Sequence, residues 1–229
     1  RAKDRGAFGI GLADRAGCGY HSPCLDRIGI AQEREKMIML KNTPDSYGCM
    51  AKALHWVIGL MVIVLLGVGL YMSDLDPSPF KFQLYGMHKA FGATVLGLML
   101  FRLFWRAAVS PAPSPMPTHA PWEKALSRGV HYAFYTALIA MPLSGWALSS
   151  AAGHPVSVFG LFSLPDLVGK DEELAEAMGE THEILGNLII ALIVLHVAGA
   201  LKHHLVDKDG TLRRMLPSCC GTCGLKSGG

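Results

Sequence analysis

Five histidines, His55, His88, His131, His182 and His196, fall in or at the edges of long uncharged stretches of the 229-residue chain. An ionisable side chain inside an apolar span is expensive and marks a functional site by default. One such histidine alone reads better as a hydrogen-bond partner of a neighbouring helix; several together point to ligation. His182 and His196 are 14 residues apart. On one helix, at about 100° and about 1.5 Å per residue, they point within roughly 40° of each other and sit about 21 Å apart. That spacing serves two separate centres on one face. A single metal ion would instead call for histidines three or four residues apart.

The elements that must carry these residues come from counting uncharged residues. A bilayer core takes roughly 20 apolar residues as helix. Residues 53–72 contain no Asp, Glu, Lys or Arg, and 129–152 are uncharged and interrupted only by Pro142, which membrane helices tolerate. Residues 184–201 form another uncharged run, and 90–101 a shorter one whose flanking Lys89 and Arg102 can snorkel outward. Four membrane helices are expected, at about 53–72, 86–105, 129–150 and 182–203. Composition agrees, with 51% apolar residues, 17% charged residues and a mean hydropathy of +0.32. It excludes a disordered chain and a small disulfide scaffold. A net charge of +3 is too small to imply a nucleic-acid partner.

Lys41, Lys52, Arg106, Lys124, Arg128, Lys202, Lys208, Arg213 and Arg214 fall on one side of this arrangement. Asp74, Asp76, Asp166, Asp171, Glu172, Glu173, Glu176 and Glu180 fall on the other, with only Lys81 and Lys170 and, just inside the helix, Lys89. The excess of Lys and Arg predicts that both termini are cytoplasmic. His55 and His196 then share the cytoplasmic depth band, and His88 and His182 the outer one. Each pair can supply two axial imidazoles to a planar porphyrin. Gly59, Gly92 and Gly186 follow a candidate ligand by four residues and Gly199 by three, and glycine lets a flat ring approach the backbone. Helix packing would also use such small residues. No CxxCH sequence occurs, so the haem would be the non-covalent b type.

His131 lies one turn inside the third helix. It can contact a haem propionate or a quinone carbonyl, or simply bond a neighbouring backbone. His203 and His204, beside Lys202, read as solvated groups with propionate contact as the alternative. His119 and His154 lie in loops. Ser110 to Pro121 holds five prolines and suits an extended connector, and 156–179 reads as a long outer loop with a short acidic helix at 171–178. Residues 1–45 are expected to be a disordered N-terminal extension, 46–217 the four-helix domain and 218–229 a cytoplasmic tail. Cys18, Cys24, Cys49, Cys219, Cys220 and Cys223 would all face a reducing compartment, so disulfides are not expected. The lone CxxC at 220–223 lacks a second pair at zinc spacing.

His55-Trp56, Met87-His88-Lys89 running to Arg102 and Arg106, His182-Glu183 through His196 to His203-His204, and the tail DKDGTLRRMLP at 207–217 resemble the bacterial cytochrome b561 family over residues 46–217. The resemblance implies an all-α membrane protein, a four-transmembrane-helix bundle binding two non-covalent haem b groups through His55, His88, His182 and His196. It implies a location in the bacterial inner membrane and electron exchange with ubiquinone, with a redox partner protein or superoxide as donor. Members include a superoxide oxidase that reduces ubiquinone, and Lys89 and Lys81 would then attract the anion, against the opposing acidic loop. Carrier and enzyme both stay open, as superoxide:ubiquinone oxidoreductase for the latter. A histidine-lined metal-ion transporter without haem is the alternative from another class. The 14-residue spacing and the lack of carboxylates within the spans argue against it.

Overall fold

Local signals start each long helix of the described residues. The computed structural model describes residues 40–43, 46–114 and 120–217, all within one compact unit. Helix α1 (Cys49–Ser73) follows Gly48, where a Cβ would collide with the backbone of Leu40 and Lys41. Helix α2 (Pro79–Phe104) is capped by the Ser78 side chain, which accepts from the Lys81 N–H, and has Pro at its first position. Both are favoured N-terminal chemistry. It runs on into a π-helical turn at Trp105–Val109. Helix α3 (Pro121–Ala151) again opens on Pro, and the Glu123 carboxylate accepts from the Ala120 N–H at 2.9 Å.

Helix α4 (Glu172–Leu205) is capped by Asp171, with Glu172 and Glu173 in its first turn and Lys202, His203 and His204 in its last. These charges complement the helix dipole. The acidic segment expected as a separate surface helix is therefore the start of α4. A cap followed by uninterrupted helix-forming residues carries the helix from water into the apolar stretch. Between α3 and α4, β1 (Val156–Val158) and β2 (Phe162–Leu164) pair antiparallel, with Val156 opposite Leu164. Their turn uses positive φ at Phe159 and Gly160, the twist a tight hairpin needs.

Close backbone packing joins α1 to α2, α2 to α3, and α3 to α4. All four helices contribute to one core, in which Ile58, Met99 and Ile189 are the most enclosed large side chains. Its outward faces carry large apolar residues such as Leu60, Ile63, Ile184 and Val194. Among the described residues, three helices are long and apolar enough to cross a membrane: α1, α2 with its π turn, and α4. Helix α3, expected as the fourth, is not among them. Its uncharged stretch is diluted by Ser144, Ser149 and Ser150, which are buried against the rest of the protein.

Residues 40–43, assigned from sequence to the N-terminal extension, are pinned to the end of α2. The Asn42 N–H donates to Ser110 Oγ at 2.7 Å, and its side-chain amide donates to the Ser110 and Pro111 carbonyls. The rest of that extension and the 218–229 tail lie outside the described residues, as does His119. Cys49 is disulfide-bonded, where free thiols were expected; its partner lies outside the described residues. At the same end, Trp56 donates to the Met215 carbonyl and Arg214 to that of Ser114. We call this the basic half and the other, with the hairpin and the α4 start, the acidic half.

Candidate functional site

In the acidic half, His88 on α2 and His182 on α4 face each other with ring centres 6.3 Å apart. In the basic half, His55 on α1 and His196 on α4 stand 6.1 Å apart. Neither helix pair, α2 with α4 or α1 with α4, is among those in close backbone contact. Each pair of rings therefore meets across helices that are not closely packed against each other.

The rings are oriented differently. The His182 Nδ1–H donates to the Met141 carbonyl at 3.0 Å, with Ser144 Oγ also at 3.0 Å. A carbonyl can only accept, so this bond fixes the tautomer and leaves Nε2 with a free lone pair, the second-shell arrangement of a metal-bound histidine. Gly145 makes room for the ring: a Cβ there would lie 2.9 Å from His182 Cε1. On the facing side, His88 Nδ1 is buried with no hydrogen-bond partner among the described residues, an orphan that calls for explanation in a folded protein. Gly69 on α1 lies behind it, its added Cβ at 3.5 Å from His88 Cε1.

The basic half holds a cluster rather than a pair. His131 on α3 stands 5.6 Å from His196, in addition to His55, and Phe134 stands 5.5 Å from it. The His131 Nδ1–H donates to the Ser127 carbonyl at 2.6 Å, so the backbone bond expected as one alternative is made. An Arg102 guanidinium nitrogen lies 3.5 Å from His55 Nδ1, and Arg106 lies over the Tyr135 ring at 5.5 Å. Trp105 Nε1 is a second buried nitrogen without a partner among the described residues.

These donors fit a haem b between each pair. Metal–imidazole bonds of about 2.0–2.1 Å on both sides of one ion place the ring centres about 6.3 Å apart. A Cβ at Gly59 or Gly92 would meet no atom within 4 Å, as at Gly199, whereas at Gly186 it would touch Met141. Of the remaining candidates, Lys89 donates to Ser149 Oγ and the Pro155 carbonyl, and Lys81 to the Leu75 carbonyl. His203 bonds the Asp207 and Asp209 carboxylates, and His154 is exposed. Ser144 and Gly145 were missed from sequence, although a small polar pair inside an apolar stretch does signal close helix approach.

The sequence model of prokaryotic cytochrome b561 matches residues 46–218. The chain is 36% identical over 176 residues to cytochrome b561 homolog 2 of Escherichia coli (strain K12), covering 76% of this chain and 93% of the relative. It is 30% identical over 171 residues to the probable superoxide oxidase CybB of Yersinia pestis, covering 75% of this chain and 96% of that protein. Cytochrome b561 homolog 1 of Escherichia coli (strain K12) is also 30% identical, over 166 residues. Haem of the b type and electron transport come with that relationship and set aside a haem-free transporter. The chain belongs to the prokaryotic cytochrome b561 family, as a membrane b-type cytochrome of electron transfer.

Proposed function

We propose that the chain is a di-haem cytochrome of the bacterial inner membrane that passes electrons to or from the quinone pool. One observation carries the reading: two histidine pairs, in opposite halves, each span helices that are not among the closely packed pairs. In this reading His55 and His196 hold one haem, His88 and His182 the other. Helix α3 crosses as the fourth span, its serines turned inward, and the basic half with both termini faces the cytoplasm. His131, at 5.6 Å from His196, is the contact for a quinone or a propionate.

Each haem supplies a one-electron iron couple. The chain's own work is orientation and exclusion of water. Met141 and Ser144 hold the His182 ring by its Nδ1–H, Gly145 lets that ring sit against α3, and the shared core keeps the two halves apart. Superoxide as donor rests on the name of one relative. The acidic half weakens it, because the Lys89 ammonium already serves Ser149 and Pro155.

The test is haem stoichiometry on the purified protein, by pyridine haemochromogen and a dithionite-reduced spectrum. Two haems per chain are expected; one or none overturns the reading. Stopped-flow haem reduction by superoxide, without other proteins, then decides the donor.

A further inference from the structure

We propose that Arg102 is a positioning residue that sets the reduction potential of the basic-half centre above that of the acidic-half centre, and so directs electrons from the acidic half to the basic half. The inference rests on the two-centre reading above and adds an order to it.

The guanidinium of Arg102 lies 3.5 Å from His55 Nδ1. That distance is at the limit of a hydrogen bond, but the charge is permanent and stands against the ring. No carboxylate answers it among the described residues. The acids of this end are engaged elsewhere: Glu123 and Asp207 with Lys202, and Asp207 and Asp209 with His203. Arg106, one turn on, faces Tyr135.

The acidic half has the opposite setting. His182 is backed by a carbonyl acceptor, Met141, which raises the basicity of a ligating imidazole. Lys89 is adjacent to His88 in sequence, so on a helix it points about 100° away from it. Its ammonium is drawn off to Ser149 and Pro155.

Reduction adds one negative charge to a centre. A nearby uncompensated cation favours the reduced form and raises the potential; a more basic ligand favours the oxidised form and lowers it. Arg102 behind one ligand and Met141 behind another therefore push the two potentials apart in the same sense. Electrons entering in the acidic half run downhill to the basic half.

The experiment is a spectroscopic redox titration of the purified full-length holoprotein, with the waves assigned by His182→Ala, which lacks the acidic-half centre. Arg102→Gln is expected to lower the basic-half wave by at least tenfold in equilibrium constant, 59 mV for a one-electron couple. Arg102→Lys should restore most of it, and Lys89→Gln should leave that wave in place. Arg102→Met serves as a second uncharged variant. Two intact haems with an unmoved basic-half wave overturn the inference and leave the two-centre reading standing. Loss of that haem from both uncharged variants also overturns it and makes Arg102 an anchor for the cofactor instead. Retention of both waves in His55→Leu would sink the ligand reading, and this inference with it.

Discussion

In the acidic half, His182 is fixed by Met141 and Ser144 and pressed against Gly145, and its partner His88 keeps a buried nitrogen unsatisfied. In the basic half, His55 and His196 share their space with His131, Phe134 and Arg102. The first site is defined by steric fit and one backbone acceptor, the second by a crowd of rings and a cation. The same residue type is thus placed where position matters in one half and where electrostatics matter in the other. Perturbing shape should damage the acidic half most, and perturbing charge or hydrogen bonding the basic half.

The largest expected effect is His182→Ala. It removes one of two imidazoles, and the purified protein should carry one haem per chain, retained in the basic half. Two per chain would break the comparison at its root, because the acidic-half pair would then not be a site. Gly145→Ala comes next. Its methyl would sit 2.9 Å from His182 Cε1, and overpacking of this kind typically costs about 1–3 kcal/mol, roughly a tenfold loss of affinity. Partial loss of the acidic-half haem is expected on dilution, with the basic-half band unchanged. Gly129→Ala, where a Cβ meets nothing within 4 Å, should leave both bands as they were.

His131→Leu sharpens the other side. Both haems should stay, while the lost hydrogen-bonding group, worth about 1–3 kcal/mol when buried, slows electron exchange with quinone or shifts the basic-half potential. A purely structural histidine would move neither. Loss of a haem here, with two haems kept in His55→Leu, would make His131 the partner of His196. Haem stoichiometry of the two variants side by side decides it.

The histidine positions were visible in the sequence because an ionisable residue stands out in an apolar stretch and helical spacing is regular. The reach of the helices was less visible. Counting uncharged residues ends a span at the first charge, whereas the Ser78 and Asp171 caps start α2 and α4 well before it. The membrane character of α3 was read from the absence of charge alone, without weighing its buried serines. The supports of His182 were not legible. Nothing in the chain says that α3 is rotated to bring Met141, Ser144 and Gly145 against α4, since that rotation is a property of the packed bundle. The sequence reads Arg102 as an outward-reaching end residue, and its approach to His55 depends on how α1 and α2 pack against each other.

The smallest expected effect lies at the water-side edge of the basic half and tests whether its charges matter beyond the rings. Glu123 ties the start of α3 to the end of α4 through Lys202, which also bonds Asp207 at 2.9 Å. The hydrogen bond from Lys202, then that from the Ala120 N–H, holds the Glu123 carboxyl below the usual carboxylate range. A carboxyl whose pKa is lower in the folded protein stabilises the fold above its unfolded value, about 4.3. That stabilisation fades as pH falls through the folded value. Wild-type protein in detergent should therefore lose thermal stability between pH 5 and lower pH more steeply than Glu123→Gln, which has no such proton to take up. Because the pair is at the surface, the difference should be small and shrink further in high salt. Equal slopes for the two proteins would show that the Lys202–Glu123 contact contributes nothing to joining α3 and α4, and that the basic half is held by its buried rings and core alone.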